Sequence, residues 1–354
     1  MSQYWLTFGH HFVEIPSNRN FTFCSSHFAF GTIPVISFPN AKLNLGLHVV
    51  EKRTDSFHNI ETIFYPISLC DILEIIPAGQ EGVEFTISGL PVPGEAGANL
   101  VLKAVNLTSD AGYDPTPGPS PTREGSKLSK PVAWFDRHIG PSPTREGSKP
   151  PLGGLGVHPD IRIHLHKIIP TGSGLGGGSS DGAHAIRLLN DLWELGLTLS
   201  QMQDLGAQLG SDCPFFIRNR PVFAFGRGDQ FEPVELDLSG YRIVLVVPPV
   251  HVSTLEAYSM VTPRKPEHSL KEVIARPVEA WKDLLTNDFE EPVMKKYPVI
   301  HEVKEELYRQ GAIYAAMSGS GAAVFGLFSP QSTVGSGQFD PSISVFSTTG
   351  ELQS

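Results

Sequence analysis

The chain has 354 residues, of which 40% are hydrophobic and 18% charged, and its formal net charge is −10. This length and apolar content suffice for two domains with buried cores, and the composition is not that of a disordered or fibrous protein. A net negative chain lacks the excess cations that attract nucleic acid or anionic membranes. Any anionic ligand is therefore expected to bind at a local site, and neither nucleic acid nor a membrane is expected as a partner.

The cysteines and the first residues bear on the cellular compartment. Cys24, Cys70 and Cys213 are far apart in the chain and lack the spacing of metal ligands. So few cysteines, and an odd number of them, indicate reduced thiols in a cytoplasmic protein. Residues 1–35 contain a single arginine and no continuous apolar core, which fits neither a secretory signal nor a transit peptide. We predict that they form an N-terminal extension, and we predict no protein-bound metal site.

A ten-residue repeat interrupts the first half of the chain. The sequence GPSPTREGSK occurs at 118–127 and again, unchanged, at 140–149. Two copies rich in proline and serine offer too little apolar surface to stack or to offset the entropy of ordering. We predict a low-complexity insertion over 108–158 that carries no chemistry.

Strand and helix patterns alternate after the insertion. Ile161, Ile163 and Leu165 alternate with polar residues, which predicts a half-buried strand. A glycine-rich turn follows, and apolar residues at helical spacing then predict a helix from about Ser179. Ser200 is the predicted cap of the next helix.

The last third of the chain continues the mixed pattern. The apolar run 243–247 predicts a buried strand. Segments 312–317 and 322–328 flank a Gly-Ser turn, either as two strands or as a strand and a helix. Together these patterns predict a two-domain α/β protein with a boundary near 236–241.

The segment 170–180, PTGSGLGGGSS, lies between a predicted strand and a predicted helix. Backbone N–H groups there can converge on an anion at the positive end of the helix dipole, and glycines allow close approach to phosphate. Gly172, Gly174 and Gly177 satisfy the dinucleotide pattern G-x-G-x-x-G, but no acidic strand end follows about 20 residues later. A Walker loop would need lysine where Ser179 stands. A glycine-rich connector without a ligand is the remaining alternative.

This segment resembles the phosphate-binding motif P-x-x-x-G-L-G-x-x-S-S of the GHMP kinase superfamily. Further segments follow in that family's order, namely PNAKLNLGL at 39–47, RTDSFH at 53–58, GSDCPFF at 210–216 and SGSG at 318–321. The segments NAKLN and DSFH resemble the corresponding segments in one branch of this superfamily. Enzymes of that branch phosphorylate the 2-hydroxyl of a cytidine diphosphate derivative of methylerythritol. The resemblance therefore implies a step of non-mevalonate isoprenoid precursor biosynthesis.

The resemblance implies the GHMP kinase fold, of α/β (α+β) class. A ribosomal S5-like ATP-binding domain is expected over 36–236, and a ferredoxin-like C-terminal domain over 237–354. The implied cofactors are ATP and Mg²⁺. The residues implied to bind ATP are Pro170, Gly172, Ser173, Gly174, Leu175, Gly176, Gly177, Gly178, Ser179 and Ser180, with Asn99 on the adenine side.

Two residues are implied to be catalytic. Lys42 lies in an apolar strand, where a lysine is rarely buried unless it is paired. Asp212 follows the second predicted helix in a turn of small residues. Phosphoryl transfer needs positioning, charge neutralisation and an acceptor for the hydroxyl proton. The resemblance implies Asp212 as the base and Lys42 as the cation that orients it, and a structural salt bridge is the alternative.

Five residues are implied to bind the substrate. By resemblance, Phe57 and His58 line the cytosine pocket, and Tyr258 stacks on the base from the other side. Gly319 and Gly321 are expected to let their loop approach the substrate and the phosphates. A core role is the alternative for the aromatic residues.

Two other functions are compatible with parts of this pattern. The first is a GHMP kinase for another alcohol, such as homoserine or mevalonate, which would have no base for Phe57 and His58 to recognise. The second is a catalytically dead nucleotide-binding regulator, against which the retention of Lys42 and Asp212 argues. Ser56 also replaces a glycine that usually precedes the aromatic-histidine pair.

Overall fold

The computed structural model describes residues 4–8, 11–15, 35–78, 82–111, 160–332 and 339–350. It divides into two units, Met1–Ile33 and Pro34–Ser354. The first unit contains an antiparallel hairpin of strands β1 (Tyr4–Phe8) and β2 (His11–Ile15). Both copies of the ten-residue repeat and Cys24 lie outside the described residues.

The second unit contains twelve further strands and eight α-helices in its described part. The strands are β3 (Val35–Ser37), β4 (Asn40–Lys52), β5 (His58–Cys70), β6 (Ile72–Pro77), β7 (Val83–Gly89), β8 (Ile161–Lys167), β9 (Val222–Phe225), β10 (Gln230–Pro233), β11 (Leu238–Val247), β12 (Tyr314–Met317), β13 (Val324–Phe328) and β14 (Ser344–Gly350). The helices are α1 (Leu100–Asp110), α2 (Gly177–Leu192), α3 (Leu199–Leu209), α4 (Cys213–Arg218), α5 (Thr254–Ser259), α6 (Leu270–Ile274), α7 (Glu290–Lys296) and α8 (Pro298–Arg309).

These strands form three four-stranded sheets, in the orders β3-β6-β8-β7, β10-β9-β5-β4 and β12-β13-β11-β14. Their pairings are antiparallel except that of β7 with β8, which is parallel. Ile161, Ile163 and Leu165 are buried on one face of the first sheet, against an apolar cluster that includes residues of α1, α2 and α4. The loop between β8 and α2 is therefore held between a sheet and a helix with a shared core.

The sheet β12-β13-β11-β14 packs against apolar residues on both of its faces. Buried residues of β11, β12 and β13 cluster with α7 and α8 on one side, and with β4, β5 and α6 on the other. Strand β14 pairs antiparallel with β11 at the sheet edge. Because β4 contributes to both clusters, it lies where the N-terminal and C-terminal parts of the fold meet.

Most predicted elements are confirmed, with local corrections. The strand at 161–165 and the buried strand at 243–247 are present, and both segments around the Gly-Ser turn are strands. Helix α2 begins at Gly177, close to the predicted start. The cap of α3 is Thr198, not Ser200, because Thr198 and Gln201 form a reciprocal capping box. Helix α1 continues to Asp110, so the first residues predicted as insertion are helical.

Within the described residues, no helix is long and apolar enough to cross a membrane. The predicted boundary between 236 and 237 falls just before β11 begins at Leu238. That division, and the extent of the N-terminal extension, stay predictions.

Candidate active site

The glycine loop joins β8 to α2 and has an unusual backbone. Gly172, Gly174 and Gly176 have φ angles of +70°, +83° and +74°, a left-handed conformation that favours glycine. A Cβ atom at Gly174 would lie 2.1 Å from the Ser318 carbonyl oxygen. The loop is thus packed closely against the segment that follows β12, and at Gly174 only glycine fits.

Three successive carbonyl groups of the loop are hydrogen-bonded to other parts of the chain. Ser173 accepts from the N–H of Ala323 (3.0 Å), Gly174 from the hydroxyl of Ser318 (3.0 Å), and Leu175 from the N–H of Lys42 (2.9 Å). In a trans peptide the N–H points opposite to the C=O, so the N–H groups of Gly174, Leu175 and Gly176 point away from these donors. Successive free N–H groups at a helix start form a concave site for an anion.

Lys42 and Asp212 are brought together beside this loop. Lys42 lies in β4 with a side chain only 6% exposed, and its Nζ is 3.4 Å from Oδ2 of Asp212. Asp212 directly precedes α4 and has a side chain 29% exposed. Burial lowers the pKa of Lys42, and the Asp212 carboxylate opposes that shift. The structure therefore pairs a sealed ammonium with a carboxylate that a ligand can reach.

Asn44 also holds the lysine, and sequence reasoning missed it. The Nζ of Lys42 donates to Oδ1 of Asn44 at 2.6 Å, and the Asn44 amide donates to the Thr62 hydroxyl at 3.0 Å. The backbone N–H of Asn44 donates to Oγ of Ser318 at 3.1 Å. Asn44 is two residues from Lys42 on the same strand, so the period-two alternation could have found it.

The turn between β12 and β13 lies against the same place. Gly319 and Gly321 have φ angles of +58° and +89°, and a Cβ at Gly319 would lie 3.1 Å from Oδ1 of Asn44. The side-chain amide of Asn287 donates to the carbonyls of Met317 and Gly319, both at 2.9 Å. The turn thus packs against the glycine loop, and the approach of Gly319 and Gly321 to the substrate and the phosphates stays a prediction. Asn287 carried no motif in the sequence and was missed.

A cavity of about 170 Å³ lies between the start of α1 and the glycine loop. Its lining includes Asn99, Leu100, Thr171 and Gly178. Asn99 caps α1, because its Oδ1 accepts the N–H of Val101 at 2.9 Å. The structure thus places Asn99 across a cavity from the loop, where the resemblance expects adenine, and its role stays a prediction.

The predicted cytosine-binding residues form an aromatic cluster. His58 and Tyr258 stack with ring centroids 4.7 Å apart and an interplanar angle of 14°. Phe57 is 56% exposed beside them. Burial, and then Lys52, lowers the pKa of His58, so its neutral ring has one donor and one acceptor nitrogen at pH 7. Since His58 and Tyr258 contact each other, a base entering between their rings would have to separate them.

This cluster adjoins the lysine-aspartate pair. Burial raises the pKa of Tyr258 to about 12, and the charge of Asp212 contributes to the shift. Asp212 is therefore close enough to Tyr258 for its charge to act on the phenol. In the described part of the chain, no group of three or more His, Cys, Asp or Glu side chains could hold a metal ion.

Comparison with known proteins agrees with this geometry. The profile of the GHMP kinases N terminal domain matches residues 147–220, and that of the GHMP kinases C terminal domain matches residues 269–336. A 4-diphosphocytidyl-2-C-methyl-D-erythritol kinase of Bacteroides fragilis is 45% identical over 302 residues, which is 85% of this chain and 94% of that protein. The same-named enzyme of Parabacteroides distasonis is 47% identical over 294 residues, covering 83% and 92%.

Comparison with solved structures also indicates the GHMP kinase fold. A crystal structure of 4-(cytidine 5'-diphospho)-2C-methyl-D-erythritol kinase has a TM-score of 0.60 and 28% identity, covering 83% of this chain and 90% of that chain. Mevalonate kinase of Methanococcus jannaschii has a TM-score of 0.58 at 13% identity, with 90% and 99% covered, and so shares the fold. This chain has the GHMP kinase fold and belongs to the 4-diphosphocytidyl-2-C-methyl-D-erythritol kinase family.

Proposed function

We propose that this protein transfers the γ-phosphate of ATP to the 2-hydroxyl of 4-diphosphocytidyl-2-C-methyl-D-erythritol. The pairing of buried Lys42 with the accessible Asp212 beside the glycine loop carries the proposal. Membership of this kinase family supports ATP as the phosphate donor. Phe57, His58 and Tyr258 support a cytidine substrate, because an alcohol without a nucleobase would give these side chains nothing to bind.

In this proposal each side chain has a separate task. The Asp212 carboxylate accepts the proton as the substrate oxygen forms its bond to the γ-phosphorus, and the bond from that phosphorus to the bridging oxygen of ADP breaks. The Lys42 ammonium orients Asp212, 3.4 Å away, and lies where negative charge passes between oxygens. Such positioning and charge neutralisation account for most of phosphoryl-transfer catalysis.

The nucleotide is assigned to the glycine loop and the cavity beside Asn99. The N–H groups of Gly174, Leu175 and Gly176 support phosphate binding there. The carbonyls of the same three peptide groups, which belong to Ser173, Gly174 and Leu175, are hydrogen-bonded on the opposite side. Mg²⁺ fits the proposal as an ion bound mainly by phosphate and water, as is usual for this cation. A cytoplasmic location stays a prediction.

The proposal is tested by a coupled ADP-release assay on the purified full chain. The panel contains the cytidine substrate, homoserine and mevalonate, each with Mg²⁺ and ATP. We expect turnover with the cytidine substrate alone and release of one ADP per phosphorylated product. Turnover with homoserine or mevalonate instead would assign another GHMP activity. ATP binding without turnover of any of the three alcohols would contradict catalysis.

A further inference from the structure

A second lysine-aspartate cluster lies beneath the glycine loop and is almost fully buried, and its Lys167 and Asp181 also line the cavity beside Asn99. Lys167 ends β8, Asp71 directly precedes β6, and Asp181 lies in the first turns of α2. Their side chains are 2%, 0% and 4% exposed. The Nζ of Lys167 contacts Asp71 and lies 2.7 Å from Oδ2 of Asp181. The cluster therefore joins the strand that enters the loop to the helix that leaves it.

Both carboxyl oxygens of Asp71 have hydrogen-bond donors. Its Oδ1 accepts the backbone N–H groups of Ile168 (2.5 Å) and Ile169 (2.8 Å). Its Oδ2 accepts the Lys167 ammonium. No oxygen of Asp71 therefore needs a further donor.

Asp181 has the opposite surroundings. Its Oδ2 has the Lys167 ammonium, but its Oδ1 is buried and has no hydrogen-bond donor. Oδ2 of Asp71 and Oδ2 of Asp181 both contact the same Lys167 ammonium, so the two carboxyl groups are neighbours. If both carboxyl groups were ionised, the buried cluster would carry one excess negative charge and one oxygen without a donor, and both are costly in a protein interior. A proton on Asp181 removes both costs, because the acid can then donate to Asp71.

We propose that Asp181 is a positioning residue that is held as a neutral carboxylic acid, donates a hydrogen bond to Asp71, and so fixes both ends of the glycine loop. Burial, followed by the charge of Asp71, raises the pKa of Asp181 well above its usual range, and Lys167 opposes the shift. Lys167 and Asp71 are the charged groups that face it. The neutral acid also keeps a second negative charge away from the phosphates, a consequence that rests on the proposed binding of ATP at the loop.

The test compares Asp181→Asn with Asp181→Leu. An asparagine amide donates to Asp71 as the neutral acid does, whereas leucine leaves Asp71 with one donor fewer. We expect the Asn variant to bind a non-hydrolysable ATP analogue within about threefold of wild type, and the Leu variant to lose roughly tenfold or more. Isothermal titration measures both. An equal loss in both variants would mean that Asp181 acts as a charged carboxylate, and would overturn the proposal.

The pH dependence provides the second arm. A group whose pKa is raised by folding stabilises the native state below its unfolded pKa, and this contribution disappears as pH rises through the folded pKa. As pH rises, wild type should therefore lose stability and affinity for the ATP analogue relative to Asp181→Asn, because asparagine does not titrate. Parallel pH profiles would contradict the proposal.

Infrared difference spectroscopy between wild type and Asp181→Asn reads the proton directly and needs no nucleotide. We expect a carboxylic acid C=O band that is lost in the variant. A carboxylate band there would refute the proposal, even if the Leu variant fails to fold. If wild type shows the acid band but does not bind the ATP analogue, the proposed nucleotide site fails while the protonated Asp181 stands.

Discussion

Two lysine-aspartate clusters flank one glycine loop, and they differ in exposure. Lys42 has a carboxylate partner that is 29% exposed and 3.4 Å away. Lys167 is buried between Asp71 and Asp181, whose side chains are 0% and 4% exposed. An exposed carboxylate can meet a substrate, whereas a buried one acts mainly on its neighbours.

The difference also concerns charge. Lys42 has one aspartate, so the pair is neutral and its lysine pKa is lowered by burial. Burial lowers the pKa of Lys167, but its contacts with Asp181 and Asp71 outweigh that effect and raise the pKa overall. A cation that is held this firmly in its charged form suits support of the fold. A cation with a lowered pKa and a single accessible partner suits a site where charge moves during reaction.

The largest expected effect comes from the loop between the two clusters. In Gly176→Val, the new Cβ would lie 2.9 Å from the Phe216 ring and 3.1 Å from Cγ of Lys42, at a φ of +74°. A β-branched residue strongly resists this conformation. We expect loss of measurable binding of a non-hydrolysable ATP analogue by isothermal titration. Gly240→Val is the control, because nothing lies within 4 Å of its added Cβ. Normal affinity in folded Gly176→Val protein would place the phosphates elsewhere.

Loss of the lysine from the buried cluster of Lys167, Asp71 and Asp181 should lower the stability of the protein. Lys167→Met leaves the Asp71 carboxylate buried without its cation, and breaking a buried ion pair costs about 3–5 kcal/mol. Chemical denaturation should detect this loss. Lys271→Met removes a surface pair with Glu232, 2.8 Å apart, and should cost no more than about 1 kcal/mol. Equal effects of the two substitutions would contradict the structural role of the cluster.

The smallest expected effect concerns the turn before the aromatic cluster. Ser56 has a φ of +68°, which explains why glycine is usual there. Ser56→Gly should stabilise the protein by about 0.5–1 kcal/mol, because the relief of left-handed strain exceeds the added entropy of the unfolded chain. Ser56→Ala removes the hydroxyl but keeps the strain, and should bring no gain. Thermal unfolding of both variants decides between backbone strain and a hydroxyl contact.

The sequence predicted the glycine loop because a short motif carries its chemistry locally, whereas the pairing of Lys42 with Asp212 was implied by the family resemblance. The sequence did not predict the buried cluster. Asp71 lies 96 residues from Lys167 along the chain, and only the pairing of β6 with β8 brings them together. Asp71 lies in an apolar run, as Lys42 does, but nothing in that run identifies Lys167 as its partner.

Details of the helix cap and of the aromatic cluster depend on contacts that the sequence pattern does not specify. Thr198 and Ser200 are both good capping residues, and only the reciprocal hydrogen bonds with Gln201 select Thr198. The contact between His58 and Tyr258 depends on how α5 packs against the start of β5, which periodicity does not specify. The assignment of individual residues to ATP and substrate stays a prediction.

One paired measurement tests the contrast between the two clusters most directly, namely the turnover number of Asp212→Asn beside that of Asp181→Asn. We expect Asp212→Asn to lose at least about 100-fold in turnover, because a positioned base contributes roughly 10²–10⁴ in rate, and to keep its ATP affinity. We expect Asp181→Asn to keep turnover within about threefold, because the amide replaces a neutral donor. If Asp212→Asn retained more than about a tenth of wild-type turnover, or if Asp181→Asn lost as much as Asp212→Asn, the division between a reacting and a supporting cluster would be wrong.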